Sequence, residues 1–143
     1  MTALRVINPE ELGAPRGYSN GMLAPAGGRL LFVAGQIAWN ERQQIVGDRF
    51  AEQFEQALRN VAAVVHAAGG RAEQIGRLTI YVVDKEEYLG ELTAVGAAYR
   101  KVLGRHFPAM ALVEVRSLLE PDAKVEIEAT AVLPAARARE GGG

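Results

Sequence analysis

The chain has 143 residues, a formal net charge of -1 and no cysteine. This length predicts one domain, and the lack of cysteine excludes disulfides, thiolate nucleophiles and zinc–sulfur sites. The near-neutral charge does not give the basic surface typical of nucleic-acid-binding domains. Apolar runs such as Leu30 to Ala34 are far too short to span a membrane, and charged residues near the N-terminus argue against a secretory signal. We therefore expect a cytoplasmic protein.

The first part of the chain is predicted to form a hairpin after an irregular lead-in at residues 1–16. One arm runs from Tyr18 to Leu23, and the second strand runs from Arg29 to Ile37. The intervening Gly27-Gly28 pair favours a turn that needs positive φ.

The next segment has the apolar spacing of a helix. The pattern runs from Phe50 to Ala68, with Asp48 as the expected N-cap and Gly69-Gly70 as the expected end. A β-branched run from Leu78 to Val83 then predicts a strand.

A second helical pattern follows Asp84, which has capping-box spacing with Glu87, and it ends at Gly104. Two further strands are predicted at residues 109–117 and 124–133. The order ββαβαββ indicates an α+β sandwich, with two helices on one face of a mixed sheet.

The single domain is predicted at residues 17–133, and we expect a mobile C-terminal tail at residues 134–143. The sheet face away from the helices is predicted to be half apolar, which favours self-association. Because alternate residues of a strand share a face, this face is assigned Met110, Leu112 and Glu114 with Glu126, Glu128 and Thr130.

Four segments of the chain resemble the Rid family, also called YjgF-like or L-PSP endoribonuclease proteins. They are Gly17-Tyr18-Ser19, Val33-Ala34-Gly35-Gln36-Ile37, Phe107-Pro108-Ala109-Met110 and Val125-Glu126-Ile127-Glu128-Ala129. The resemblance extends over about residues 15 to 133. It implies a chorismate-mutase-like fold and a homotrimer that binds a small molecule in clefts between subunits.

The resemblance also implies a catalytic role for Glu126, the first glutamate of the Glu-Ile-Glu segment. A carboxylate at this place accepts a proton from water and returns it to a leaving amine. Glu128 is interpreted as structural. The alternative for both residues is a pair of solvated or interface-paired carboxylates.

Six residues are implied to line the ligand cleft: Tyr18, Ala34, Gly35, Gly96, Met110 and Leu112. Three of them depart from the family pattern, which has serine, asparagine and arginine where this chain has Ala34, Gly96 and Met110. The arginine holds a substrate carboxylate, whereas methionine offers only an apolar surface. Arg105 and His106 are the candidate replacement cations.

These residues leave three functions open. The first is hydrolysis of an enamine or imine other than a standard 2-imino acid, and the second is non-catalytic ligand binding by a trimer. The third is ribonuclease activity or translation inhibition, against which the neutral charge argues. The sequence has no metal-ligand motif and no phosphate-binding loop, so we expect no metal and no cofactor, and neither a nucleic-acid nor a membrane partner.

Overall fold

The computed structural model describes residues 3–136, so the predicted tail beyond residue 136 lies outside the described residues. Six strands and three α-helices follow in chain order: β1 Arg5–Ile7, β2 Gly21–Leu23, β3 Arg29–Gln36, α1 Phe50–Ala67, β4 Ile75–Val82, α2 Lys85–Gly90, α3 Leu92–Leu103, β5 Ala109–Glu114 and β6 Val125–Leu133. Short 3₁₀ helices lie at Glu10–Leu12 and Ala72–Gln74. The predicted α+β class, with helices packed on a mixed sheet, is confirmed.

The main sheet has four strands in the order β3-β6-β4-β5. Only β4 and β5 are parallel, and the other two pairs are antiparallel. Since β3 lies at one edge and β5 at the other, strands distant in sequence meet at the centre of the sheet.

The predicted hairpin between β2 and β3 is wrong. The strand β2 pairs with β1 in a separate two-stranded sheet, whereas β3 pairs with β6. Gly27 does adopt the positive φ expected of the turn, at +77°, but this turn carries the chain from one sheet to the other. The lead-in is also less irregular than predicted, because it contains β1.

Helix α1 packs its apolar stripe against the main sheet. The N-cap of α1 is Arg49, so the prediction of Asp48 at this position is wrong. The Asp48 backbone N–H donates to Glu52 Oε2 at 3.2 Å. The predicted end of the helix is confirmed by Gly69, which has a φ of +85°. The buried residues of α1 are Phe50, Gln53, Phe54, Ala57, Leu58, Val61, Ala62 and Val65.

The second helical pattern forms two helices, α2 and α3, that are separated at Glu91. Asp84 caps α2 by accepting a hydrogen bond from the Glu86 backbone N–H at 2.9 Å. The side chain of Glu87 does not complete a capping box, because it pairs with Lys124 Nζ at 2.9 Å. Gly104 ends α3 with a φ of +63°, as predicted.

The register of the sheet decides which residues face the helices. Met110 pairs with Leu78, and Leu112 pairs with Ile80. Leu78 and Ile80 are buried in the core beneath the helices, and directly paired residues share a face. Met110 and Leu112 therefore lie on the helix-covered face, with Glu114 in the same alternation.

Glu126 and Glu128 lie on the opposite, open face, where they pair with Tyr81 and Thr79. The predicted common face for Met110, Leu112, Glu126 and Glu128 is therefore wrong. Within residues 3–136, no helix has the length and hydropathy needed to cross a membrane.

Candidate functional site

An apolar pocket of about 430 Å³ opens between β5, α3 and the segment that precedes β2. This volume is within the usual range for small-molecule sites. Four of the predicted ligand residues contribute to it: Tyr18, Gly96, Met110 and Leu112. Its other lining residues are Arg16, Gly17, Phe54, Ile80, Tyr88, Leu92, Val95, Tyr99, Arg100 and Phe107.

The segment that carries Tyr18 is fixed to the start of β5. Ser19 is buried, and its hydroxyl donates to the Phe107 carbonyl oxygen at 2.6 Å. The Ser19 backbone N–H donates to the Pro108 carbonyl oxygen at 3.1 Å. These two bonds hold Tyr18, which is 40% exposed, at the mouth of the apolar pocket.

One wall of the apolar pocket is aromatic. The rings of Tyr99 and Phe107 stack with centroids 5.5 Å apart, and the Tyr99 hydroxyl donates to the His106 carbonyl oxygen at 2.6 Å. Burial raises the pKa of the Tyr99 hydroxyl well above its usual range. The phenol therefore remains a neutral hydrogen-bond donor that fixes this wall.

Neither candidate replacement cation from the sequence lines the apolar pocket. The His106 Nε2 atom is 2.7 Å from the Ile75 carbonyl oxygen, so the imidazole joins β4 to the loop before β5. Arg105 is exposed and absent from the pocket lining. The structure thus argues against either residue as a carboxylate clamp in this pocket.

Two carboxylates with different environments lie on the open face of the sheet. The Tyr81 hydroxyl donates to Glu128 Oε1 at 2.7 Å, and this hydrogen bond raises the pKa of the Tyr81 phenol. Glu128 is therefore engaged structurally, in line with its predicted role. Glu126, by contrast, has no side-chain hydrogen bond or ion pair within residues 3–136.

Gly35 packs directly against Glu126. It lies where the pairing of β3 with β6 is interrupted, between Val33 and Gln36. A Cβ atom built on Gly35 would lie 2.8 Å from Glu126 Cδ, closer than side chains tolerate. Gly35, which the family resemblance implies as a ligand contact, thus lies against Glu126 in this structure, with the exposed Ala34 beside them.

The predicted site residues form two groups that one protomer keeps apart. The first comprises the four residues of the apolar pocket, and the second comprises Glu126, Gly35 and Ala34. On the shared neighbour β4, Glu126 pairs with Tyr81 and Met110 pairs with Leu78. Leu78 lies three residues before Tyr81, which corresponds to about 10 Å along the strand. Two strand spacings separate β5 from β6, about another 10 Å, and the side chains project from opposite faces. One small ligand cannot contact both groups of the same protomer.

The sequence matches the family described as Endoribonuclease L-PSP over residues 9–133. The chain belongs to this family. Among its relatives, a 2-iminobutanoate/2-iminopropanoate deaminase of Escherichia coli K12 is 38% identical over 108 residues, which cover 73% of this chain and 80% of the relative. A RutC family protein of Synechocystis is 33% identical over 138 residues, which cover 92% of this chain and 98% of the relative.

Solved structures of the L-PSP family have the same fold. A Rid family protein of unknown function, YyfB from Yersinia pestis, superposes with a TM-score of 0.82 at 34% identity, over 92% of this chain and 99% of that one. Escherichia coli TdcF, solved with bound serine, has a TM-score of 0.63 at 29% identity, over 91% of this chain and 99% of that one. Membership and fold are thereby established.

Among the lining residues that were not predicted, two are charged, Arg16 and Arg100. One signal for Arg100 was present, because it follows Gly96 by four residues on a helix and such residues share a face. Arg16 gave no comparable signal, since its position depends on the Ser19 bonds to Phe107 and Pro108.

Proposed function

We propose that the protein hydrolyses an imine or enamine in a cleft between two protomers, with Glu126 as the base. The observation that carries this proposal is the contrast between the two open-face carboxylates. Glu128 is engaged by Tyr81, whereas Glu126 lies against Gly35 without a polar partner among the described residues. Support also comes from the Escherichia coli relative, which is named as an imine deaminase.

The proposed reaction needs one carboxylate and one water molecule. Glu126 removes a proton from water while the oxygen bonds to the carbon of the protonated imine, and the C=N π electrons move to nitrogen, which gives a carbinolamine. The Glu126 carboxylic acid then returns its proton to the amine nitrogen. The C–N bond breaks and ammonia leaves as the hydroxyl proton passes to the Glu126 carboxylate, so that a carbonyl compound remains. Glu126 then gives this proton to ammonia, which departs as ammonium. General acid–base catalysis of this kind contributes about 10²–10⁴-fold to a rate.

The cleft is proposed to combine the apolar pocket of one protomer with Glu126 and Gly35 of its neighbour. This arrangement follows from the distance between the two groups within one chain. The open face also carries exposed apolar side chains suited to an interface, with Phe32 76% and Leu30 62% exposed. Such exposure is unusual for a monomer. A homotrimer, as implied by the family resemblance, is the proposed assembly.

The mass in solution tests the assembly. We expect three times the chain mass of 15.3 kDa at micromolar concentration, because the open face is buried between subunits. Size-exclusion chromatography with light scattering measures this mass directly. A monomer would contradict both the trimer and the shared cleft.

Subunit mixing tests whether the cleft is shared. Glu126→Gln removes the base and leaves the apolar pocket intact, whereas Gly96→Phe fills the pocket and leaves the base. We expect each variant alone to be inactive. Trimers assembled from equal amounts of both should recover activity, since about a quarter of their clefts would combine an intact pocket with an intact Glu126 when the interfaces are equivalent.

The control for subunit mixing is the double variant Glu126→Gln/Gly96→Phe, mixed with itself in the same way. It should remain inactive, because no combination of its subunits restores a complete cleft. If the two single variants also fail to recover activity although native mass spectrometry shows mixed trimers, the proposed sharing of pocket and base between protomers is wrong.

A further inference from the structure

The apolar pocket contains two arginines and no acidic residue. Arg16 precedes the segment fixed by Ser19, and Arg100 lies on α3. Neither side chain is ion-paired within residues 3–136. The cation adjacent to Arg100 in the sequence, Lys101, is paired with Glu55 at 3.5 Å. The two pocket arginines thus give an otherwise apolar site a positive charge without an internal counter-ion.

The position of Arg100 is linked to the missing side chain at Gly96. A Cβ atom built on Gly96 would lie 3.3 Å from one terminal guanidinium nitrogen of Arg100. Long side chains on a helix lean towards the turn that precedes them, and here the guanidinium occupies the space that a larger residue at position 96 would need. The glycine that departs from the family pattern therefore accommodates a cation.

We infer that Arg100, assisted by Arg16, binds the carboxylate of an amphipathic 2-oxo or 2-imino acid whose apolar body fills the pocket. This inference rests on the proposed function, and it names the substrate class. The sequence predicted an imine or enamine other than a standard 2-imino acid, because methionine at position 110 cannot pair with the substrate carboxylate. Under this inference small 2-imino acids remain excluded, whereas 2-imino acids with a larger apolar group are accepted.

The distribution of charged and apolar side chains favours a ligand whose carboxylate lies at Arg100 and whose apolar body lies inside the pocket. Met110 and Leu112 line the inner wall with the stacked Tyr99 and Phe107, so this part of the pocket accepts an aromatic or branched aliphatic group. Arg100 is exposed, so the anionic group remains near solvent. A guanidinium pairs with a carboxylate through two parallel hydrogen bonds, which fixes the direction of the ligand.

Calorimetry with a matched ligand pair tests the inference. Phenylpyruvate has the ring, the ketone and the carboxylate, whereas phenylacetone lacks only the carboxylate. We expect the wild-type protein to bind phenylpyruvate about 10-fold or more tightly than phenylacetone, the lower end of the range for hydrogen bonds to charged groups. Arg100→Gln should remove most of this preference and leave phenylacetone binding within about 2-fold, since the apolar contacts are unchanged.

Arg105→Gln is the matched control. It removes the same charge from an exposed arginine that is near in sequence but does not line the pocket, so it should retain the preference for phenylpyruvate. Equal binding of the two ligands by the wild-type protein, or no binding of either, would overturn the inference. The inference would also be overturned if Arg100→Gln and Arg105→Gln lowered the preference for phenylpyruvate equally. The ligand comparison in the wild-type protein does not depend on how the variants fold.

The inference and the proposed function fail separately. If phenylpyruvate binds through Arg100 but Glu126→Gln hydrolyses imines as fast as the wild type, the anion site is retained and the proposed catalysis is wrong. If Glu126→Gln abolishes hydrolysis while Arg100→Gln binds phenylpyruvate like the wild type, the hydrolase is retained and the assigned anion site is wrong.

Discussion

Glu126→Gln is expected to lower imine hydrolysis by about 100-fold or more, because the amide cannot take a proton from water. The substrate is generated in place, for example by oxidation of L-phenylalanine with an amino-acid oxidase. The measurement is the rate of imine loss above its spontaneous hydrolysis. Binding of phenylpyruvate should be retained, since the base does not hold the carboxylate in the proposed cleft.

Two variants separate the role of Glu126 from a general effect of charge on the open face. Glu128→Gln removes an equal charge from the carboxylate engaged by Tyr81, and it should retain most of the activity. Gly35→Ala keeps Glu126 but places a methyl group 2.8 Å from its Cδ atom, so the carboxylate must move and activity should fall. If Glu126→Gln and Glu128→Gln are equally active, Glu126 is not the base.

Gln53→Leu is expected to destabilise the fold by about 2–4 kcal/mol, because it removes three hydrogen bonds at a buried position. Gln53 is 2% exposed. Its amide nitrogen donates to the carbonyl oxygens of Gly47 and Asp122, each at 3.1 Å, and its Oε1 accepts from the Lys124 N–H at 2.9 Å. Leucine nearly preserves the volume and leaves these backbone groups without their partner. Urea denaturation monitored by circular dichroism measures the loss.

Gln56→Leu is the control on the same helix. Among the described residues its amide nitrogen donates to Asn60 Oδ1 alone, at 2.9 Å, so we expect the free energy of unfolding to change by about 1 kcal/mol or less. Both variants must be compared with the wild type at one protein concentration, because assembly adds to apparent stability. Similar losses for the two variants would contradict the role assigned to Gln53.

Local patterns predicted the helices well. The apolar stripe of α1, its end at Gly69 and the end of α3 at Gly104 depend on neighbours within one or two turns, and all three are confirmed. The Asp48 cap was misplaced because Asp48 and Arg49 both precede the helix, and backbone conformation chooses between them. The strand β1 was missed because it has three residues and pairs with a segment more than ten residues later.

The main error concerned the face of β5. Residues from Ala109 to Val113 are all apolar, so the strand has no alternation from which its phase relative to the helices can be read. The phase is set by pairing with β4, about thirty residues earlier. Glu126 and Gly35 could be singled out from short sequence segments. Their separation from Met110 within one protomer depends on the pairing of β5 with β4, so it was not predictable.

The bonds from Ser19 to Phe107 and Pro108 have a consequence for folding. The Ser19 hydroxyl bond joins residues separated by 88 positions, so it closes only after nearly the whole chain has been synthesised and β5 has docked beside β4. Contacts this distant in sequence form slowly, because the entropy of a long loop must be lost first. Nascent or truncated chains that lack β5 therefore also lack the wall of the apolar pocket that Met110 and Leu112 form.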